Sequence, residues 1–204
     1  METSAFSWSS HFSVNGKVAY YHGRFQPFHL GHLSVVTRGY EECGAIAIGI
    51  SNPSRGSPQS LSELDDEAAS ALKRARQPER NPWPYWVRAL MIQAGLKAAN
   101  IPLERVIMLP NVRNTGLPPA EFHFPRELAI VYISPREAHN RFAMKRYRSE
   151  GWAIRACEPT CQISGTEIRT RIHDGRSWLE MVPTGTRDVL IWYSNWTELN
   201  DRLG

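Results

Sequence analysis

Cysteine is scarce in this chain: Cys43, Cys157 and Cys161 are the only three among 204 residues. An odd count at spacings that match no disulfide framework points to reduced thiols and a cytoplasmic location. Cys157 and Cys161 also lack the second ligand pair that a structural zinc site needs. Long apolar runs are missing too. No window approaches the roughly 20 apolar residues of a membrane span. Residues 1–16 include Glu2 but no basic cluster and no apolar block, so they are not a signal peptide. Neither charge sign dominates: 24 Lys and Arg against 20 Asp and Glu leave +4. That excess suits an anionic small molecule and, without a concentrated patch, is too small to argue for nucleic acid. No internal repeat or low-complexity domain is present. The expected partners are therefore small phosphorylated ligands, with no nucleic acid and no membrane.

What is present suggests one domain over 17–204, with a C-terminal helical segment and an N-terminal extension over 1–16. A globule of this size buries roughly 70% of the surface its unfolded chain exposes. Short apolar runs recur at Val18–Tyr21, Ala45–Ile50, Val106–Leu109, Leu128–Ile133 and Ala153–Ala156. Each is strand-sized, and the intervals are long enough for helices. The alternation predicts an α/β fold with about five parallel strands and covering helices. Helices are expected over about 29–42, 61–76, 84–99, 136–150 and 166–173, with another near the C-terminus. Pro84 and Pro135 stand near two helix starts, and Gly44 and Gly151 follow two helix ends. Residues 51–60 are rich in Pro, Ser and Gly and form a candidate flap over a site. The acidic run at 62–67 and the basic run at 73–76 match the dipole of one helix, which favours solvated faces.

The most informative stretch is Gly23-Arg24-Phe25-Gln26-Pro27-Phe28-His29-Leu30-Gly31-His32, directly after the first apolar run. A strand that stops at Gly, turns through Pro and enters a helix carrying two imidazoles gathers ring and backbone N–H donors around one small volume. An anion is stabilised there, and a triphosphate is the natural occupant. A surface histidine pair or part of a metal site is the plainer alternative.

A second helix start appears at Ile163-Ser164-Gly165-Thr166-Glu167-Ile168-Arg169-Thr170-Arg171. Ser164 and Glu167 have the spacing of a capping box. Ser164 and Thr166 also place hydroxyls at the positive end of the helix dipole, and Arg169 lies one turn on. Alone this is a capped helix. Paired with the first turn, it allows two helix N-termini at the carboxyl edge of a parallel sheet to grip one polyphosphate from two sides.

These two motifs resemble those of the HxGH nucleotidylyltransferase superfamily, and GRFQPFHLGH with ISGTEIRTRI is most similar to the archaeal-type nicotinamide-nucleotide adenylyltransferases. The resemblance spans roughly Lys17 to Leu190 and is concentrated at the two ends. It implies a Rossmann-like, doubly wound sheet with helices on both faces. It also implies Mg²⁺-assisted transfer of a nucleoside monophosphate from an NTP to a phosphate-bearing acceptor, with release of pyrophosphate. On this chain the resemblance makes His29, His32 and Arg169 the catalytic candidates. Gly23, Arg24, Phe25, Gly31, Arg88, Ser164 and Thr166 become the nucleotide-binding candidates. Mg²⁺ is expected to arrive on the NTP phosphates, with no protein metal site. Adenylyl transfer from ATP to nicotinamide mononucleotide, giving NAD, is the leading expectation. Cytidylyl transfer from CTP to a phosphonate or sugar phosphate is the alternative, and a nucleotide sensor without turnover is a third.

The acceptor side departs from the resemblance. The related enzymes stack the pyridine ring on a Trp after the third strand and carry an Asn-Pro step after the fourth. Here residues 110–119 hold no Trp, and Ile133-Ser134-Pro135-Arg136 replaces the Asn-Pro step. Phe122, His123 or Phe124 is a candidate stacking face, and Arg113 and Arg136 are candidates for an acidic acceptor. Trp83, Trp86, Trp178, Trp192 and Trp196 are expected to pack or to form an interface. The Trp192-Tyr193-Ser194-Asn195-Trp196 patch is a candidate surface for a homo-oligomer.

Overall fold

The structure is a computed structural model that describes residues 16–51, 66, 70, 73–74, 77–111 and 124–203. Five strands form its centre: β1 (Val18–Gly23), β2 (Ile46–Ser51), β3 (Val106–Asn111), β4 (Ala129–Ile133) and β5 (Ala153–Ala156). Every pairing is parallel and the order is β3-β2-β1-β4-β5. The helices are α1 (Leu30–Cys43), α2 (Tyr85–Ala98), α3 (Ala138–Ser149), α4 (Gly165–His173) and α5 (Thr184–Leu203). The doubly wound α/β architecture is the one expected. Of the helix expected over 61–76, only Asp66, Ser70, Lys73 and Arg74 are described, all as helical. Residues 1–15 and the 52–60 loop lie outside the described residues.

The strands are apolar on both sides because both sides are covered. On one face Ala19, Ile46, Ile48, Ile50 and Tyr132 meet Val35 and Val36 of α1 and Val87, Met91 and Leu96 of α2. On the other, Val18, Tyr20, Ala47, Ala129 and Val131 meet Met144 and Tyr147 of α3. The two-residue period assigns successive strand positions to opposite faces. Two of the glycine stops depend on backbone freedom. Gly44 closes α1 at φ 71 with its N–H on the Tyr40 carbonyl at 2.7 Å, and Gly151 follows α3 at φ 79. Helix α5 packs along α2, where the Thr186 hydroxyl donates to the Met91 carbonyl at 2.9 Å inside the core. The strand order reverses between β1 and β4, with α1 on one face and α3 on the other. That reversal opens a crevice at the carboxyl edge of the sheet, where ligands of such folds bind.

Candidate active site

The turn between β1 and α1 lies at this edge. Its backbone is bent by Phe25, which takes a positive φ of 52. Phe25 was expected to touch the nucleotide, but the bend sends its ring inward. The ring is 1% exposed, with centroids 5.9 Å from Phe28 and 5.0 Å from His32. What Phe25 can offer a ligand is confined to its backbone. Gly23 makes room for that ring, since a Cβ there would lie 3.1 Å from Phe25 Cε1. Gly31 was expected to admit the nucleotide close to the helix. The space over it is held instead by His29, whose Cε1 and Nδ1 would both lie 3.1 Å from a Cβ. Gly31 therefore serves the placement of an imidazole.

The two histidines form one unit. His29 is the N-cap of α1, and its backbone N–H donates to His32 Nδ1 at 3.3 Å. The rings stack with centroids 3.6 Å apart. The return arm of this capping box, from the His32 backbone to the His29 ring, is present but too loose for a hydrogen bond, and among the described residues the buried His29 Nδ1 has no hydrogen-bond partner. Because His32 Nδ1 accepts, it carries no proton, so the neutral ring has its N–H at Nε2, an assignment made from the hydrogen bond. Burial lowers the His29 pKa to about 4. Burial, then the His29 ring, then Arg24 hold His32 well below the ordinary histidine value. Both imidazoles are neutral donors at neutral pH.

Helix α4 reaches the turn from the other side. Ser164 caps it, its Oγ accepting from the Glu167 N–H at 3.1 Å. The reciprocal arm expected of a capping box is replaced by an ion pair, because the Glu167 carboxylate turns to Arg171 Nη2 at 3.0 Å. Arg169 Nη1 donates to the Gln26 carbonyl at 2.5 Å and Nη2 to Thr166 Oγ1 at 3.1 Å. Gly165 permits this approach: a Cβ there would sit 2.5 Å from the Gln26 oxygen. Gln26 is thus a joint between the two motifs. Its side chain adds a third element, donating from Nε2 to the Trp83 carbonyl at 2.9 Å and accepting the Trp83 N–H at 3.1 Å.

Arg88 was expected to contact the nucleotide directly. It is 2% exposed, and its Nη1 donates to the Arg24 carbonyl at 2.9 Å and the Ser51 carbonyl at 2.6 Å. It is a positioning residue that ties the turn to the end of β2. Burial lowers its pKa to about 10, and burial, with repulsion from Arg24 and Arg80, does the same for Arg169. Burial also lowers Arg24, with Glu137 opposing and Arg80 adding to the shift. Two guanidiniums, those of Arg24 and Arg169, and two neutral imidazole donors therefore gather around the joint, with Arg88 held behind them. Arg80 and Gln26 were not singled out from the sequence. Their placement depends on contacts between the turn and the segment before α2.

On the acceptor side Arg136 stands exposed on the turn after β4, with its Nη2 3.5 Å from Gln162 Oε1. Phe124 is half-buried and packs against the second core. Arg113, Phe122 and His123 lie outside the described residues. All three cysteines are free thiols. Among the described residues no helix is long and apolar enough to cross a membrane.

No protein-family model matches the chain. It is 31% identical over 174 residues to phosphonoformate cytidylyltransferase of Streptomyces viridochromogenes, covering 83% of this chain and 88% of that protein. The chain belongs to the HxGH-type nucleotidyltransferases. To the nicotinamide-nucleotide adenylyltransferase of Methanosarcina acetivorans this nucleotidyltransferase is 29% identical over 177 residues, 84% of its own length and 86% of the other's. Its fold is that of a bifunctional NMN adenylyltransferase/ADP ribose pyrophosphatase from Francisella tularensis, with a TM-score of 0.63 at 17% identity over 88% of this chain. The nucleotidyltransferase spans about half of that bifunctional chain, 50% of its length.

Proposed function

We propose that the protein transfers AMP from ATP to nicotinamide mononucleotide, forming NAD and releasing pyrophosphate. The observation that carries the reaction class is the joint at Gln26, which brings the His29–His32 turn and the Arg169 helix onto one volume at the carboxyl edge of the sheet. An acceptor phosphate oxygen attacks the α-phosphorus in line. One P–O bond forms, the bond to the β-phosphate breaks, and its electron pair leaves with pyrophosphate. No protein nucleophile is needed. Alignment of the two reactants contributes about 7–11 kcal/mol. The His32 Nε2–H and the guanidiniums of Arg24 and Arg169 offset charge as it spreads in the transition state.

The described residues hold no cluster of three or more His, Cys, Asp or Glu side chains suited to a metal ion. Mg²⁺ is proposed to arrive with the nucleotide, where it would supply charge neutralisation on the phosphates.

A second reading, cytidylyl transfer from CTP to a small phosphonate, has its own support. The relative from Streptomyces viridochromogenes shares 31% identity, and Phe124 packs partly against the second core while Arg136 stands exposed on the turn after β4. A small dianion needs cations rather than a stacking ring. One assay separates the readings: purified protein with Mg²⁺ and each of four NTPs against nicotinamide mononucleotide, small phosphonates and sugar phosphates, scored by pyrophosphate and product mass. Dinucleotide from ATP is the expected result. Product from CTP and a phosphonate alone replaces the first reading with the second, and no pyrophosphate from any pair overturns the reaction class.

The free thiols support a reducing, cytoplasmic setting. Exposed Trp86, Trp192 and Trp196 support self-association into a homo-oligomer.

A further inference from the structure

We propose that Tyr21 is a further nucleotide-binding residue, whose phenol hydroxyl meets the ribose of the NTP on the side of His32 that faces the ends of β4 and β5. The inference rests on the nucleotidyl-transfer reading of the site, and it is the same for ATP and CTP because both carry that sugar. Tyr21 stands two residues before the glycine that ends β1, on the strand face that α1 covers. Two residues of the turn fix its ring, with centroids 5.8 Å away for Phe25 at 63° and 6.2 Å away for His32 at 53°. The residue as a whole is nonetheless only half-buried. Because β1 is the middle strand of the sheet, its uncovered part faces the carboxyl edge, where the strand order reverses and ligands bind.

The hydroxyl sets Tyr21 apart from its neighbour. Tyr132, on β4 and in the same core, donates its hydroxyl to Glu42 Oε2 at 2.6 Å. Tyr21 makes no hydrogen bond among the described residues. A tyrosine with a packed ring and an uncommitted O–H at a crevice is suited to a ligand that is apolar on neither side of it. Burial pushes its phenol pKa up, and Cys157 and Glu137 add to the shift, so the group is a protonated donor at neutral pH. Those two residues also locate it. Cys157 follows β5, with its N–H on the Ile133 carbonyl at 3.0 Å, and Glu137 directly precedes α3. The charges that bear on Arg169 are those of Arg24 and Arg80 instead. Glu137 bears on Arg24 as well as on Tyr21, so the two sides adjoin. With the α-phosphate at His32 Nε2 and the β- and γ-phosphates at Arg24 and Arg169, the group joined to the α-phosphate on its other side is the ribose. A donor one ring away from His32 fits a hydroxyl oxygen of that sugar.

The test is calorimetric titration of the full chain, with Mg²⁺, by ATP, CTP and their 2′-deoxy and 3′-deoxy counterparts, for the wild type and Tyr21→Phe. The substitution removes the hydroxyl and keeps the ring. Loss of one hydrogen bond predicts that the variant binds the ribonucleotide about fivefold or more weakly. The deoxy analogue that the wild type disfavours should bind both proteins alike, and the melting temperature should be unchanged. Unchanged ribonucleotide affinity overturns the assignment, as does a wild type indifferent to both deoxy changes. An equal loss for the ribonucleotide and both deoxynucleotides also overturns it, because that marks a disturbed wall and not a lost sugar contact. Failure of Tyr21→Phe to fold does the same, since the hydroxyl then has a partner within the protein. A wild type that binds neither ATP nor CTP counts against the nucleotidyl-transfer reading itself and takes the inference with it, a result distinct from the failure of Tyr21 alone.

Discussion

The backbone N–H of His29 donates to Nδ1 of His32 at 3.3 Å while their rings stack 3.6 Å apart, so the main chain at the helix N-cap fixes the tautomer of the His32 ring. His32 is left with its only N–H at Nε2. Phe25 and Phe28, with ring centroids 5.0 and 5.9 Å from that of His32, hold the plane of the ring. The donor is oriented before a ligand arrives, which is the condition for stabilising charge that appears only in the transition state.

His32→Ala is expected to lower kcat by about a hundredfold or more, the effect of losing one oriented donor. Circular dichroism and melting temperature should remain close to wild type, because the core strands are untouched. An unchanged kcat in steady-state kinetics would remove His32 from the mechanism.

Stability should fall on mild acidification. Burial depresses the folded-state pKa of His29 to about 4 from 6.5, so the unfolded chain binds the extra proton between those values. The stabilising contribution is complete above pH 6.5 and is lost as pH falls through about 4. For His29 alone it amounts to about 3 kcal/mol, and His32 is shifted in the same direction. Urea midpoints at pH 7 and pH 4.5 should diverge more for the wild type than for His29→Gln. Equal divergence would clear His29 of the acid sensitivity.

The strands and helix limits were legible in the sequence because each depends on neighbours within a few residues: a two-residue apolar period, a glycine after Cys43, a serine before Gly165. The two motifs were legible for the same reason. What escaped were relationships across long separations. The Gln26–Trp83 clamp spans 57 positions and the Arg169–Gln26 bond spans 143. Local spacing also misassigned side chains within a correct motif. Phe25 lies between two site residues, yet its φ turns the ring to the core. Arg88 sits on the expected helix, yet buries its charge on two carbonyls.

The aromatic ridge makes its own prediction. Trp86 of α2 meets Trp192 and Trp196 of α5 with ring centroids 6.2 and 6.3 Å apart, and all three remain at least 44% exposed. If the ridge joins copies, Trp192→Lys will shift the protein to a smaller species in size-exclusion chromatography with light scattering, at unchanged helix content. Identical masses for variant and wild type would assign the ridge to another role.

Gly165→Ala tests the joint between the two motifs without removing any functional group. The added Cβ would lie 2.5 Å from the Gln26 oxygen and 3.3 Å from Arg169 Nη1. Backbone cannot yield as a flexible side chain can, so α4 must move away from the turn. Overpacking of this kind costs about 1–3 kcal/mol of stability. In a helix interior the same change would be stabilising by up to about 1 kcal/mol, so the sign of the effect is diagnostic. Displacing Arg169 and Ser164 from the turn separates the two halves of the anion site, and a misplacement of about 1 Å is enough to cost about a hundredfold in rate. Differential scanning fluorimetry should therefore show a lower melting temperature, and kcat/KM for the NTP should fall by about tenfold or more. A variant with wild-type kcat/KM would mean that the turn and α4 need not meet for turnover, and the Gln26 joint would lose its catalytic meaning.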